Sequence, residues 1–177
     1  MTPVQKREKC TACPLGLPQR TLPVVPDGSK NARVLFLGEA PGETEDQQGR
    51  PVVGRAGNVL QELLDKLDFK RTEVCVANVC RCRPPENRTP TLIEQSTCFG
   101  LYWIQTLAEY RKVRLIVPMG RTAIANLLGR DGPVLKTVGR RFSIFFGAKI
   151  AYPMVHPAAT FRSGTMAKQL QSDGDRL

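Results

Sequence analysis

The stretch that most constrains this chain runs from Val34 to Asp46 and on to Gly54. Val34, Leu35, Phe36 and Leu37 form a short apolar run that fits a buried strand. Gly38 ends it, and Glu39, Pro41 and Gly42 follow as a Gly/Pro turn. Glu43, Glu45 and Asp46 lie in the same expected loop. A buried strand that runs straight into a turn rich in carboxylates puts acidic chemistry at a carboxyl strand end. In open α/β sheets ligands bind there. An acidic surface turn is the plainer reading of this stretch taken alone.

The rest of the chain alternates strand and helix patterns. Ala56 to Asp68 is expected to be a helix, because Val59, Leu60, Leu63, Leu64 and Leu67 share one face. Val74 to Asn78 reads as a second strand with Asn78 at its end. Pro84 and Pro85 stiffen the next loop, and Thr89-Pro90 prepares a helix from about Leu92 to Tyr110. Val113 to Met119 is a third strand ending at Gly120, followed by a short helix from Arg121 to Leu128. Asp131 to Arg141 reads as a loop. Phe142 to Phe146 and Lys149 to Pro153 read as a hairpin or strand pair. His156, the one histidine, follows an apolar strand and precedes Pro157. Glu39, Asn78 and His156 thus all stand at strand ends. Ser163 to Leu177 is at most a short helix and then a polar tail from about residue 171. With no internal repeat or long linker, residues 1–177 are expected to form a single domain.

Charge and cysteine usage narrow the function. The net charge is +10, and between Arg111 and Lys149 nine Lys/Arg face a single acid, Asp131. The acids gather instead around the first loop. That asymmetry fits a polyanionic partner beside a separate acidic centre. No apolar run approaches the roughly 20 residues of a membrane span. The polar segment Met1 to Cys13 lacks the apolar core of a signal peptide, so a cytoplasmic location is expected. Six cysteines in a reducing compartment favour metal binding over disulfides. Cys75 lies within a strand and reads as a small apolar residue. Cys10, Cys13, Cys82 and Cys98 are spaced C-x2-C-x68-C-x15-C, which suits a zinc ion or a [4Fe–4S] cube alike.

Collected in order, these residues resemble the family 4 uracil-DNA glycosylases, the iron–sulfur branch of the uracil-DNA glycosylase superfamily. The resemblance runs from about Cys10 to Arg162. It rests on Cys10-x2-Cys13, Gly38-Glu-Ala-Pro-Gly-x2-Glu-Asp46, Gly49-Arg-Pro, Gly54-Arg-Ala-Gly57, Asn78, Cys82-Arg-Pro-Pro-x-Asn87-Arg88, Cys98 and His156-Pro-Ala-Ala. It implies a three-layer α/β/α fold with a central, mostly parallel four-stranded sheet. It selects a structural [4Fe–4S] cluster on Cys10, Cys13, Cys82 and Cys98, tying an N-terminal arm (residues 1–33) to the body. It further implies excision of uracil from single- or double-stranded DNA by a monomer. Asn78 would read the base edge. His156 would hydrogen-bond the uracil oxygen, and Glu39, Ala40 and Pro41 would line the pocket. Glu39 and Glu45 are the carboxylates expected to act in catalysis, and Arg88, Arg140, Arg141 and Arg162 are expected at the DNA. The family usually has Phe after Gly-Arg-Pro, where it stacks on uracil; here that position is Val52. Two alternatives follow: a glycosylase for another deaminated base, or a non-catalytic iron–sulfur DNA-binding module.

Overall fold

A computed structural model describes residues 10–16, 22–129, 132–144 and 149–177. Much of the expected N-terminal arm therefore lies outside the described residues. The chain forms, in order, β1 (Asp27–Gly28), β2 (Val34–Gly38), α1 (Glu43–Gln48), α2 (Arg55–Lys66), β3 (Cys75–Asn78), α3 (Leu92–Glu109), β4 (Leu115–Pro118) and α4 (Gly120–Leu128). Then come β5 (Phe142–Ile144), β6 (Lys149–Ala151) and α5 (Gly164–Gly174).

One sheet runs through the molecule in the order β1-β3-β2-β4-β6-β5. Its centre, β3-β2-β4-β6, is parallel, as expected for four strands. Among the described residues the sheet nevertheless has six strands, because β1 and β5 add antiparallel edges. The two residues of β1, Asp27 and Gly28, are too short and polar to carry any strand pattern.

The pleat of β2 explains the layers. Every residue of β2 is buried, so the strand must be covered on both faces. Leu35 and Leu37 pack on one side with Cys75, Ala77 and Ile116, under Cys98 and Trp103 of α3. Val34 and Phe36 pack on the other with Val76 and Val117, under Leu60, Leu63 and Leu64 of α2 and Leu170 of α5. α4 lies beside α3, where Asn126 Nδ2 donates to Gln95 Oε1 at 2.8 Å. Among the described residues no helix is long and apolar enough to cross a membrane.

Two expectations need correction. The acidic segment after Gly42 is a short helix, α1, whose first turn holds Glu43, Glu45 and Asp46. Acids there oppose the positive end of the helix dipole. The stretch from about residue 171 is no loose polar tail, since α5 continues to Gly174 and Asp173 is fully buried. Asp173 reads as a tail residue only because its partners are distant in sequence. Its backbone carbonyl accepts from Tyr152 Oη at 3.1 Å, and its carboxylate accepts from Gln169 Nε2 at 2.7 Å.

The start of α3 is set by a reciprocal cap. Thr91 Oγ1 accepts from Glu94 N at 3.3 Å, and Glu94 Oε2 accepts from Thr91 N at 2.7 Å. Arg88 adds a two-pronged ion pair, Nη1 to Oε2 at 2.8 Å and Nη2 to Oε1 at 2.7 Å. The Arg88 hydrogen bonds, reinforced by the Thr91 amide, hold the Glu94 carboxyl down at about 2. A depressed carboxyl stabilises the fold above its unfolded value, near 4.3. That stabilisation is lost as the pH falls through about 2. Glu94→Gln is therefore expected to cost roughly 2–3 kcal/mol at pH 7. In urea melts across a pH series, the gap between parent and variant should close between about pH 4 and about pH 2.

Candidate active site

The register of the central strands brings three strand ends level. Leu37 pairs with both Ala77 and Pro118, and Gly38 pairs with Asn78. The sheet order reverses here, since β3 lies to one side of β2 and β4 to the other. Such a switch point opens a crevice at the carboxyl ends.

Asn78 occupies that crevice. Its Oδ1 and Nδ2 are both buried, and neither has a hydrogen-bond partner. Buried amides are ordinarily satisfied, so a donor and an acceptor left open together are poised for a ligand edge. Gly38 makes the room, since a Cβ there would sit 2.4 Å from Asn78 Oδ1 and 3.6 Å from Val52 Cγ2. Val52, 7% exposed, thus lies against the same spot. Its φ is +51°, a left-handed conformation that is strained for a β-branched residue.

The loop carrying Val52 is held from two sides. Glu45 Oε1 accepts from Val53 N at 2.9 Å and Gly54 N at 2.7 Å, while its Oε2 accepts from Gly42 N at 3.1 Å. On the other side Arg71 Nη2 donates to Pro51 O at 3.2 Å and lies 3.5 Å from Asp27 Oδ2. Arg50 shares that carboxylate oxygen at 3.0 Å. Both oxygens of Glu45 are thus taken by main-chain donors. Glu39 is freer. Its Oε2 accepts from Thr122 Oγ1 at 2.5 Å, and Oε1 has no hydrogen-bond partner among the described residues.

His156 caps the 3₁₀ turn Pro157–Phe161. Its Nδ1 accepts from Ala158 N at 3.1 Å. The proton of the neutral ring must then sit on Nε2, which becomes a donor. Burial lowers the His156 pKa to about 4, against the opposing pull of the Glu45 charge. Gly120, at φ +81°, lets the ring approach the α4 terminus, since a Cβ there would lie 2.9 Å from His156 Cβ.

Cys10, Cys13, Cys82 and Cys98 line one hollow, together with Arg81 and Tyr102. All four are free thiols. Among the described residues, no three His, Cys, Asp or Glu side chains stand close enough to hold a metal ion as placed. Burial pushes Cys82 up to about 12 and raises Cys13. Cys98 is lowered, first by its hydrogen bond with Cys80 and then by the Arg81 amide, which donates to Cys98 Sγ at 3.2 Å. Four converging cysteines with a main-chain donor to sulfur fit a thiolate-held cluster in chemistry. Cys75 packs in the sheet core, as its place in a strand implied.

The chain matches the family model of the Uracil DNA glycosylase superfamily over residues 25–173. It is 41% identical to a Type-4 uracil-DNA glycosylase of Thermotoga maritima, over 90% of this chain and 81% of that protein. It is 37% identical to a Type-4 uracil-DNA glycosylase of Pyrobaculum aerophilum, over 94% and 86%. A third, from Archaeoglobus fulgidus, is 35% identical over 85% and 77%. The chain belongs to the uracil-DNA glycosylase superfamily.

Within this glycosylase fold, Glu39, Val52, Asn78 and His156 lie around the switch point, with Ala40 and Pro41 in the turn between β2 and α1. Arg140, Arg141 and Arg162 are exposed. Arg88 keeps 42% of its side chain exposed while its guanidinium is engaged by Glu94. Sequence reasoning missed Thr122 and Gly120. Thr122 sits in the first turn of a helix with no motif to mark it, and only its place just after a strand end hinted at the site.

The single histidine makes the site directly observable. In ¹⁵N-resolved spectra, His156 should hold its proton on Nε2 and titrate near pH 4. An unfolded histidine takes a proton near 6.5, so protonation favours the unfolded chain. The His156 contribution to stability should therefore fall as the pH drops from about 6.5 toward about 4.

Proposed function

We propose that the protein is a monofunctional uracil-DNA glycosylase, which hydrolyses the N-glycosidic bond of deoxyuridine and leaves an abasic site. The observation that carries this reading is the Asn78 amide, buried with both ends open at the switch point. A flipped uracil offers an acceptor and a donor on its edge to match it. A non-catalytic DNA-binding module has no use for such a group.

The chemistry follows from charge. Bond cleavage leaves positive character on the sugar and negative charge on the departing uracil. His156, neutral with its proton on Nε2, donates to the uracil oxygen as that charge grows. Glu39 and Glu45 set a negative field facing the sugar. Glu45, with its oxygens held by Gly42, Val53 and Gly54, serves as a fixed charge and a clamp on the Val52 loop. Glu39, with Oε1 open, is the better placed to orient the attacking water. The water oxygen adds to C1′, and its proton balances the uracil anion.

Cys10, Cys13, Cys82 and Cys98 would hold a [4Fe–4S] cluster, which when bound supplies structural anchoring and no step of the reaction. The substrate is uracil-containing DNA, met along a surface that includes Arg140, Arg141 and Arg162. The protein acts as a monomer in the cytoplasm.

The test is single-turnover excision from a uracil-containing oligonucleotide, read by alkaline cleavage of the abasic product. The parent should excise uracil, and His156→Ala should slow the step about 10²–10³-fold. Uncleaved substrate with the parent at excess enzyme would sink the assignment.

Val52 bears on base preference. Base–aromatic stacking is worth about 1–3 kcal/mol, and valine supplies little of it. Val52→Phe should quicken uracil excision about tenfold at limiting enzyme. A side chain unbranched at Cβ also suits φ +51° better. An intact variant that is no faster on uracil would favour a second reading, a pocket shaped around Val52 for another deaminated base. Hypoxanthine and xanthine oligonucleotides test that directly.

A further inference from the structure

Arg81 stands where the chain leaves β3 for the cysteine loop, and it is only 8% exposed. Its Nη2 donates to Thr106 Oγ1 at 3.0 Å, and its guanidinium carbon lies 4.1 Å from the centre of the Tyr102 ring. Thr106 Oγ1 in turn donates to Tyr102 O at 2.8 Å. Among the described residues no carboxylate stands within ion-pair distance of Arg81. Arg88, by contrast, meets Glu94, and Arg71 meets Asp27. A guanidinium withdrawn from water and held by one hydroxyl and a ring face is costly unless something anionic lies nearby. The hollow it lines is that of Cys10, Cys13, Cys82 and Cys98.

We propose that Arg81 is the built-in counter-charge of that hollow and raises the reduction potential of the cluster held there. This rests on the cluster reading given above. Four thiolates around a [4Fe–4S] core leave a net negative charge, which grows by one when the core takes up an electron. Nearby positive charge therefore favours the reduced state, and burial strengthens the effect. The Arg81 backbone N–H to Cys98 Sγ acts in the same direction. Because it belongs to the main chain, side-chain substitution leaves it in place and isolates the contribution of the guanidinium.

The experiment uses the full iron-loaded chain without DNA. Iron per chain is measured first, and then the cluster is titrated against potential, with the reduced state followed by electron paramagnetic resonance. In Arg81→Met the reduced-to-oxidised ratio at a fixed potential should fall about tenfold, a shift of about 59 mV to lower potential for one electron. Arg81→Lys should keep most of the parent's ratio. Thr106→Val, which removes the hydroxyl and leaves the charge, should change it less than about twofold. An iron-loaded Arg81→Met with the parent's potential overturns the proposal. Equal shifts in the Met and Lys variants also overturn it, since packing rather than charge would then be the cause. If Arg81→Met loses iron while Arg81→Lys retains it, the charge requirement stands, and loss from both refutes it. A parent that binds no iron refutes the cluster reading itself, and this proposal with it.

Discussion

The carboxylate of Glu45 is the contact on which the site depends. It gathers main-chain donors from Gly42, Val53 and Gly54, tying the start of α1 to the loop that leads into α2. Val52 sits in that loop at φ +51°, where a β-branched residue costs of order 1–3 kcal/mol. Strain of that size persists only when the surroundings over-determine it. Charge-assisted bonds from Glu45, with Arg71 on Pro51 O, supply that restraint. The same carboxylate lies near enough to His156 to oppose the lowering of its pKa by burial. One buried acid thus shapes the wall beside Asn78 and biases the protonation of His156.

The sheet sets the level at which these groups meet. With β2 buried on both faces, a one-residue slip would move Leu35 and Leu37 into the layer of Val34 and Phe36. Register is therefore strongly specified, and with it the pairing of Gly38 with Asn78. The close approach of Asn78 Oδ1 to Gly38 then leaves no room for a Cβ. Core packing in the sheet thus fixes the place of the buried, unpartnered Asn78 amide.

How much of this was legible in the sequence follows from the range of the forces involved. Strands and helices with strong apolar periodicity, such as β2, α2 and β4, could be read because their pattern is local. The strand-end placement of Glu39, Asn78 and His156 was legible for the same reason. The role of Glu45 was not, because its partners Val53 and Gly54 are main-chain amides that any residue could offer. Thr122 on Glu39 joins positions 83 residues apart, and no local signal marks such a pair. The two-residue β1 and the buried Asp173 failed for a related reason: their polar character points to the surface until their distant partners are known.

The passage from Asn78 to Cys82 joins the switch-point crevice to the cysteine hollow within five residues. One could suppose that the hollow's occupant holds Asn78 in place. The hydrogen bonds argue otherwise. Val79 N donates to Gly38 O and Cys80 N to Glu39 O, each at 2.9 Å, so the chain stays bound to β2 beyond the end of β3. Asn78 is fixed by the sheet before the cysteine loop begins. Bridging Cys82 and Cys98 to Cys10 and Cys13 would instead anchor what the sheet does not reach, namely residues 10–16 and the turn at residues 84–88 before α3. Of these, the Arg88–Glu94 pair already secures the α3 end. Farther along, the arm is already tied to the body by the buried Val24 and Ala32 and by the pairing of β1 with β3, so residues 10–16 are the described segment that four bridged thiolates would anchor most.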